Sequence, residues 1–215
     1  DTFSLQGNIA QYKADDLITA FEANPAVDAD FTPYIDFPHS DGEGRNAHLL
    51  GRWERQAGDL SHSLQAYLDH SDSDAGVFRY KNDTLDLEYQ QRRQGRDHDI
   101  VWGLGYRVSR DRAYDTPYAF TADSRKTFAL YSAYIQDEIT LVPERWRLTL
   151  GGRFEHNAFT GFEIQPNVRL LWTPNGRDSF WAAVSRAVRT PSRGELGTTI
   201  FISAPPATFL PFATV

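Results

Sequence analysis

The stretch "WRLTLGGRFEHN" (146–157) divides its residues by parity. Trp146, Leu148, Leu150, Gly152 and Phe154 fall on one side, and Arg147, Thr149, Gly151, Arg153 and Glu155 on the other. Neighbours along a strand point to opposite faces, so the spacing predicts a strand with one apolar and one charged face. Repetition is the constraint. The same period of two recurs at 3–12, 47–55, 63–70, 84–91, 99–108 and 164–173, less cleanly at 128–141, and ambiguously at 179–188, where both parities are fairly apolar. A chain of this kind has about nine apolar strand faces to remove from water, and the fold must supply something to cover them.

The connections carry a second pattern. "QAGD" (56–59), "RQGRD" (93–97), "VPER" (142–145) and "TPNGRD" (173–178) are short and rich in Gly, Pro, Asn and Asp, as hairpin turns are. The alternate connections are mostly longer: a polar loop at 13–43, intermediate ones at 70–78 and 111–124, and a short link near 157–161. The tail from Thr190 onward reads as irregular. Short turns at one end of a sheet and longer loops at the other are the pattern of a transmembrane barrel. Trp146 and Trp172 beside short turns fit an interfacial aromatic girdle. The expectation is an all-β, antiparallel up-and-down transmembrane barrel segment of about nine strands, its charged face lining a lumen and its apolar face meeting lipid. The alternatives are another surface β-barrel or adhesin-like binding protein, and a soluble all-β domain whose apolar face meets a second sheet.

Composition closes other routes. No window holds the roughly 18 consecutive apolar residues of a spanning helix, and mean hydropathy is −0.52. The net charge of −7 argues against a nucleic-acid partner, whose attraction rests on neutralising phosphates. With no cysteine in the chain, disulfides, thiolate zinc sites and cysteine nucleophiles are excluded. The chain also lacks Met and a recognisable leader, and reads as an excised piece of something longer.

Two stretches carry a family resemblance. "YSAYIQDEITLVPERWRLTLGGRFEHN" (131–157) resembles a barrel strand pair of the TonB-dependent outer-membrane receptors: an aromatic-rich strand ending in Gln136-Asp137-Glu138, a short turn, then Arg-Leu-Thr-Leu-Gly-x-Arg-aromatic-Glu. "IQPNVRLLWTPNGRDSFWAAVSRAVRTPSRGE" (164–195) resembles the next hairpin, ending in Ser-Arg-Ala-x-Arg-x-Pro-Ser. "HDIVWGLGYRVSRD" (98–111) is in character too, and residues 1–97 fit by layout more than by motif. The resemblance implies a slice of a plugged 22-stranded barrel in the outer membrane of a Gram-negative bacterium. It implies uptake of a ferric siderophore or similar scarce ligand, energised by the TonB complex, and no enzymatic activity or cofactor. The whole chain, 1–215, reads as partial barrel domain. It shows neither plug domain nor TonB box, so contact with the TonB complex falls to the missing plug region.

Candidate chemistry is sparse. Tyr34, Tyr114 and Tyr118, with Phe31, Phe37 and Phe120, are loop aromatics able to stack on a ligand. Arg186 and Arg189 in "SRAVRTPSR" could support an anionic ligand, or pair with lumen carboxylates such as Glu138 or Glu155. "DHSDSDAG" (69–76) lacks the spacing and distant Glu of a calcium loop. In "His62-Ser63" and "His70-Ser71" the two side chains would point to opposite faces, so neither makes a catalytic dyad.

Overall fold

A computed structural model describes residues 1–18, 22–24, 34–36, 39–75, 78–115, 119–121, 124–191, 195, 198–204 and 208–212. In chain order the strands are β1 (Thr2–Ile18), β2 (Glu22–Asn24), β3 (Tyr34–Asp36), β4 (His39–Ala57), β5 (Leu60–Asp74), β6 (Arg79–Gln94) and β7 (His98–Tyr114). They continue as β8 (Ala119–Thr121), β9 (Arg125–Val142), β10 (Trp146–Asn157), β11 (Gly161–Trp172), β12 (Phe180–Ser185), β13 (Thr198–Ala204) and β14 (Thr208–Phe212). Nine of them form one antiparallel sheet in the order β1-β4-β5-β6-β7-β9-β10-β11-β12, each paired with its chain neighbour in that set. These nine are the nine alternating segments of the sequence. Within the described residues β1 and β12 are the sheet's edges.

The turns anchor one end. β4 and β5 are joined through Gly58-Asp59, with Gly58 at φ 60°, where the missing Cβ removes the steric cost. β9 and β10 meet at Val142–Arg145, closed by Arg145 N–H donating to the Val142 carbonyl at 3.0 Å. At the other end the strands run further than the sequence pattern indicates. Within the segment 13–43, expected as a polar loop, β1 extends to Ile18, β4 begins at His39, and β2 and β3 pair antiparallel. Likewise β5 takes residues 70–74 of the connection 70–78, and β7 and β8 take 111–114 and 119–121 of the connection 111–124. Cross-strand pairing continues there although the side chains are polar on both parities, because ladder hydrogen bonds do not depend on hydrophobicity. The irregular tail contributes β13 and β14, which pair with each other and, through β13, with β8 in the connection between β7 and β9. With 15 to 19 residues each, β4, β5, β6, β7 and β9 exceed the 9–11 or so that a barrel strand needs to cross a bilayer.

Register carries one parity across the whole sheet. Phe3, Trp53, Leu64, Tyr89, Leu104, Ala133, Phe154 and Ile164 are successive cross-strand partners in a single row. The row beside it runs Ser4, Arg52, Gln65, Glu88, Gly105, Ser132, Glu155 and Glu163 on the opposite face. A slip of one residue between any two strands would mix these sets. The register shifts only between Ala14 and Leu17 and between Trp146 and Arg147, at the strand ends.

Among the described residues no second layer covers the apolar face. Ile9 is 88% exposed, Leu104 53% and Val168 46%, and among the described residues no side chain is fully buried. On β5 the apolar band is bounded by His62 and His70; on β11 it runs from Phe162 to Trp172. Followed along the ladder from β5, the His62 row passes Gln91, Trp102, Ile135 and Gly152 and reaches β11 at Pro166, well inside the β11 band. The band therefore slides toward the short turns as the strands are counted off. Such a stagger is what tilted strands need if they cross a flat apolar slab.

Candidate functional site

The polar face is built from the residues between the apolar ones, and its groups satisfy one another. Arg107 Nε donates to Asp86 Oδ2 at 2.6 Å across the β6–β7 ladder. Arg153 Nε donates to Glu155 Oε1 at 2.7 Å, and Gln165 Nε2 to Glu155 Oε2 at 3.0 Å. Arg147 lies 3.2 Å from Glu138, Arg52 2.6 Å from Glu54, and Tyr67 O–H donates to Asp69 at 2.9 Å. The arginine of each ion pair is about half exposed, so each pair contributes little to stability by itself. Together they hold a charged wall in fixed positions.

Two tyrosines shape that wall through glycines. Tyr134 is the cross-strand partner of Gly103, and its ring covers the glycine so closely that a Cβ there would lie 2.6 Å from ring atoms. The ring reaches past β7, and its O–H donates to Gln90 Oε1 on β6 at 2.7 Å. Tyr12 covers its partner Gly44 in the same way and hydrogen-bonds Ser73 Oγ at 2.7 Å. Neither clasp is legible in the sequence alone. Their signal is an isolated Gly in a strand, which marks a close approach, but the covering aromatic is visible only once the register is known. A shallow depression of about 90 Å³ lies beside Tyr134, lined by Asp86, Glu88, Arg107, Ser132 and Arg153. That is room for a few waters.

Of the residues singled out as ligand contacts, Tyr114, Arg186 and Arg189 engage different partners. Arg186 lies just past β12; its guanidinium donates to the Ile164 carbonyl and to Glu163 Oε2, the latter at 3.1 Å. Arg189 pairs with Glu195. The carboxylates Glu138 and Glu155 are instead taken by Arg147 and Arg153. Tyr114 ends β7 on the parity of the apolar face, its ring between the guanidinium groups of Arg79 and Arg112 at 5.1 and 5.0 Å. Tyr34 opens β3, and Phe120 lies in β8. Tyr118, Phe31 and Phe37 lie outside the described residues.

Aromatic groups mark the turn end of the apolar face. Trp146 and Trp172 stack at 5.4 Å, with Phe180 against Trp172 at the same distance. Tyr89 meets Trp102 edge-on at 5.5 Å and hydrogen-bonds His62. Such a cluster fits the interface between hydrocarbon and water, where amphipathic rings are favoured. His62 and His70 point to the apolar parity, while Ser71 donates to Asn46 on the polar face, so the His–Ser neighbours are indeed split. Among the described residues no group of three His, Asp or Glu side chains is placed to hold a metal. No described helix is long and apolar enough to cross a membrane, which bears on helices alone.

Residues 1–211 match a family model described as TonB dependent receptor-like, beta-barrel. Two variant structures of the ferric enterobactin receptor of Pseudomonas aeruginosa are similar to this chain at a TM-score of 0.48 and 15% identity. Each alignment covers 93% of this chain and 41% of that receptor, so the chain spans about two-fifths of its length. No curated protein matches.

Proposed function

Because the chain belongs to the TonB-dependent receptor-like β-barrel family, we propose that it is part of the barrel wall of an outer-membrane receptor that takes up a scarce chelated nutrient, a ferric siderophore first among them. The observation that carries this reading is the nine-stranded sheet with one continuous, unpartnered apolar face. Side chains such as Leu64, Leu104 and Phe154 stay exposed on a sheet whose other face is saturated with ion pairs. Lipid covers such a face without any second protein layer. In this reading the polar face lines the lumen, the short turns at Gly58 and Pro143 face the periplasm, and the long connections face the medium.

Residues 1–215 are proposed as one stretch of a larger plugged barrel, with plug and TonB-contacting segment elsewhere in the polypeptide. The two unpaired edges, β1 and β12, support this, since open edges invite aggregation unless further strands pair with them. Arg186, held on the polar face by Glu163, is positioned for the lumen or the plug. Ligand capture is assigned to the long connections that carry Tyr34 and Tyr118.

Uptake of radiolabelled ferric siderophores by cells lacking the parent gene, and by cells lacking the TonB complex, tests the reading. Loss of uptake of one siderophore in both strains is expected. Undiminished uptake across catecholate, hydroxamate and citrate siderophores, and of cobalamin, would refute the transport role.

A further inference from the structure

β12 stops short of its neighbour. On its β12 side β11 is paired only from Asn167 to Trp172, whereas on its β10 side it is paired down to Gly161. Arg186 N–H still donates to the Pro166 carbonyl at 3.1 Å. In that register the next ladder bond would run from the Val188 N–H to the Ile164 carbonyl. The Arg186 guanidinium takes that carbonyl instead, and its other arm donates to Glu163 Oε2 at 3.1 Å. A side chain thus ends the ladder by occupying the acceptor that would extend it.

The chain then leaves the edge and crosses the polar face. Thr190 lines a depression of about 240 Å³ together with Arg107 of β7, Phe128 of β9 and Asn157 of β10. β12 and β9 lie three strand spacings apart, about 14 Å. The segment 186–190 spans at most about 17 Å when extended, so it crosses β11 and β10 with little slack. The wall's own polar side chains in the depression are already engaged. Arg107 is held by Asp86, Ser109 bonds Thr84 at 2.9 Å, and Glu155 takes Arg153 and Gln165. Asn157 is taken up by its own turn: Oδ1 accepts the Phe159 and Thr160 N–H groups and Nδ2 donates to Thr160 Oγ1, each at 2.8 Å. That turn carries the Phe159 ring, which stacks on Phe128 at 4.7 Å. What remains open is the Phe pair with Leu130, beside Thr190.

We propose that Arg186 is a positioning residue for ligand capture. By ending the β12 ladder it swings residues 187–190 across the inward wall as a strap, and the strap and the Phe128–Phe159 stack form a slot for a flat ring of the transported ligand. The inference rests on the transport reading above, which makes this wall the lumen side. A cavity of about 150 Å³ already admits benzene, so the slot has room for one aromatic ring. Because the wall's polar side chains are paired, a ring gains there by stacking and apolar contact. Arg186 acts through the path of the backbone and touches no ligand itself.

The test has two arms, both on the intact, cysteine-free receptor in whole cells, with heat-modifiable gel migration counting the inserted protein for every variant. In the first, cysteines replace Ala158 and Thr190, which line the same depression. A short bifunctional thiol reagent should join them, and the joining should be lost when Arg186→Ala is added. In the second, uptake of a radiolabelled ferric tris-catecholate, which carries aromatic rings, is measured against ferric citrate, which carries none. Arg186→Ala and Phe159→Ala should each raise KM for the catecholate about tenfold and keep the maximal rate per inserted receptor. Arg177→Gln, in the turn before β12, should change neither. A merely structural role would lower the amount inserted and leave KM alone. Unchanged joining in the Arg186→Ala background would overturn the strap. Lost joining with an unchanged KM, or uptake of citrate alone, would overturn the slot. Uptake of neither chelate would also remove the slot, while the joining alone decides the strap; the transport reading falls only if the wider panel of siderophores and cobalamin is untouched as well.

Discussion

On β5, Leu64, Ala66 and Leu68 project from one face, and Gln65, Tyr67 and Asp69 from the other. The two sets share one backbone and one ladder, yet they meet their needs differently. The polar set is closed within the protein: Tyr67 donates to Asp69, and on the next strands Asp86 takes Arg107. The apolar set is covered by nothing among the described residues, and Leu64 and Leu68 remain close to half exposed. A soluble sheet reverses this, hiding its apolar face and leaving its polar face to water. The difference teaches that the solvent on the two sides is inverted: water lies against the organised face, and the exposed face requires a medium that does not penalise hydrocarbon.

The largest expected effect comes from placing charge on the wrong side. Ala66 sits midway between His62 and His70 on the apolar parity, with Gly51 and Leu87 opposite it and no carboxylate among those neighbours. In the intact receptor refolded into vesicles, Ala66→Arg should cost about 2–4 kcal/mol of unfolding free energy, the range for a lipid-facing arginine near the midplane. Gln65→Arg, one residue away but beside Glu88, should cost under about 1 kcal/mol. Equal losses would erase the distinction between the faces.

A second effect sharpens the description of the polar face. A side chain at Gly103 must displace the Tyr134 ring, so Gly103→Val should cost about 1–3 kcal/mol by overpacking. Adding Tyr134→Ala should recover part of that loss, since the double variant has nothing to displace. An additive double variant would mean that the clasp does not form. Smaller again is the contribution of one exposed ion pair. Arg107→Gln should cost no more than about 1 kcal/mol, less at high salt. A larger loss, insensitive to salt, would mean that the polar face is not in water. The smallest expected change touches neither face. Glu144 holds φ 60° in the Val142–Arg145 turn, where a side chain is strained. Glu144→Gly should therefore be neutral or stabilising by up to about 1 kcal/mol. Thermal unfolding of the pair checks it, and a clear loss would show that the Glu144 side chain has a role that the turn geometry does not reveal.

Much of this arrangement is legible in the sequence. Strict alternation at 63–70 and 146–157 fixes strands and faces because the pleat has a period of two, and Gly58 and Pro143 mark turns through their backbone preferences. The extent of β4 to β7 toward the long connections was not legible. Residues such as Arg45, Asp72 and Lys81 are polar on both parities, so no hydrophobic signal reports that they pair. The 128–141 segment looked irregular because Asp137 interrupts the apolar parity; the structure gives it a partner, His98 Nδ1 at 2.7 Å, near the turn end of the band. β13 and β14 fall in a tail without alternation, and their pairing with β8 joins residues far apart in sequence. The candidate site was the least legible. The motif around Arg186 is distinctive in the sequence, but its partner Glu163 depends on the β11–β12 register, and nothing in the sequence sets Tyr134 apart from its strand neighbours.

The central claim is that the faces of the sheet meet two different media. Nitroxide labels attached one at a time at residues 62–70 of the intact receptor in vesicles measure this directly. Collision with oxygen, which concentrates in lipid, should peak at 64, 66 and 68, and collision with a water-soluble nickel chelate at 65, 67 and 69. Both profiles should lose their period at His62 and His70, where the band ends. A period of two in opposite phase for the two reagents is the expected result. Profiles without alternation, or with both reagents peaking at the same positions, would contradict it.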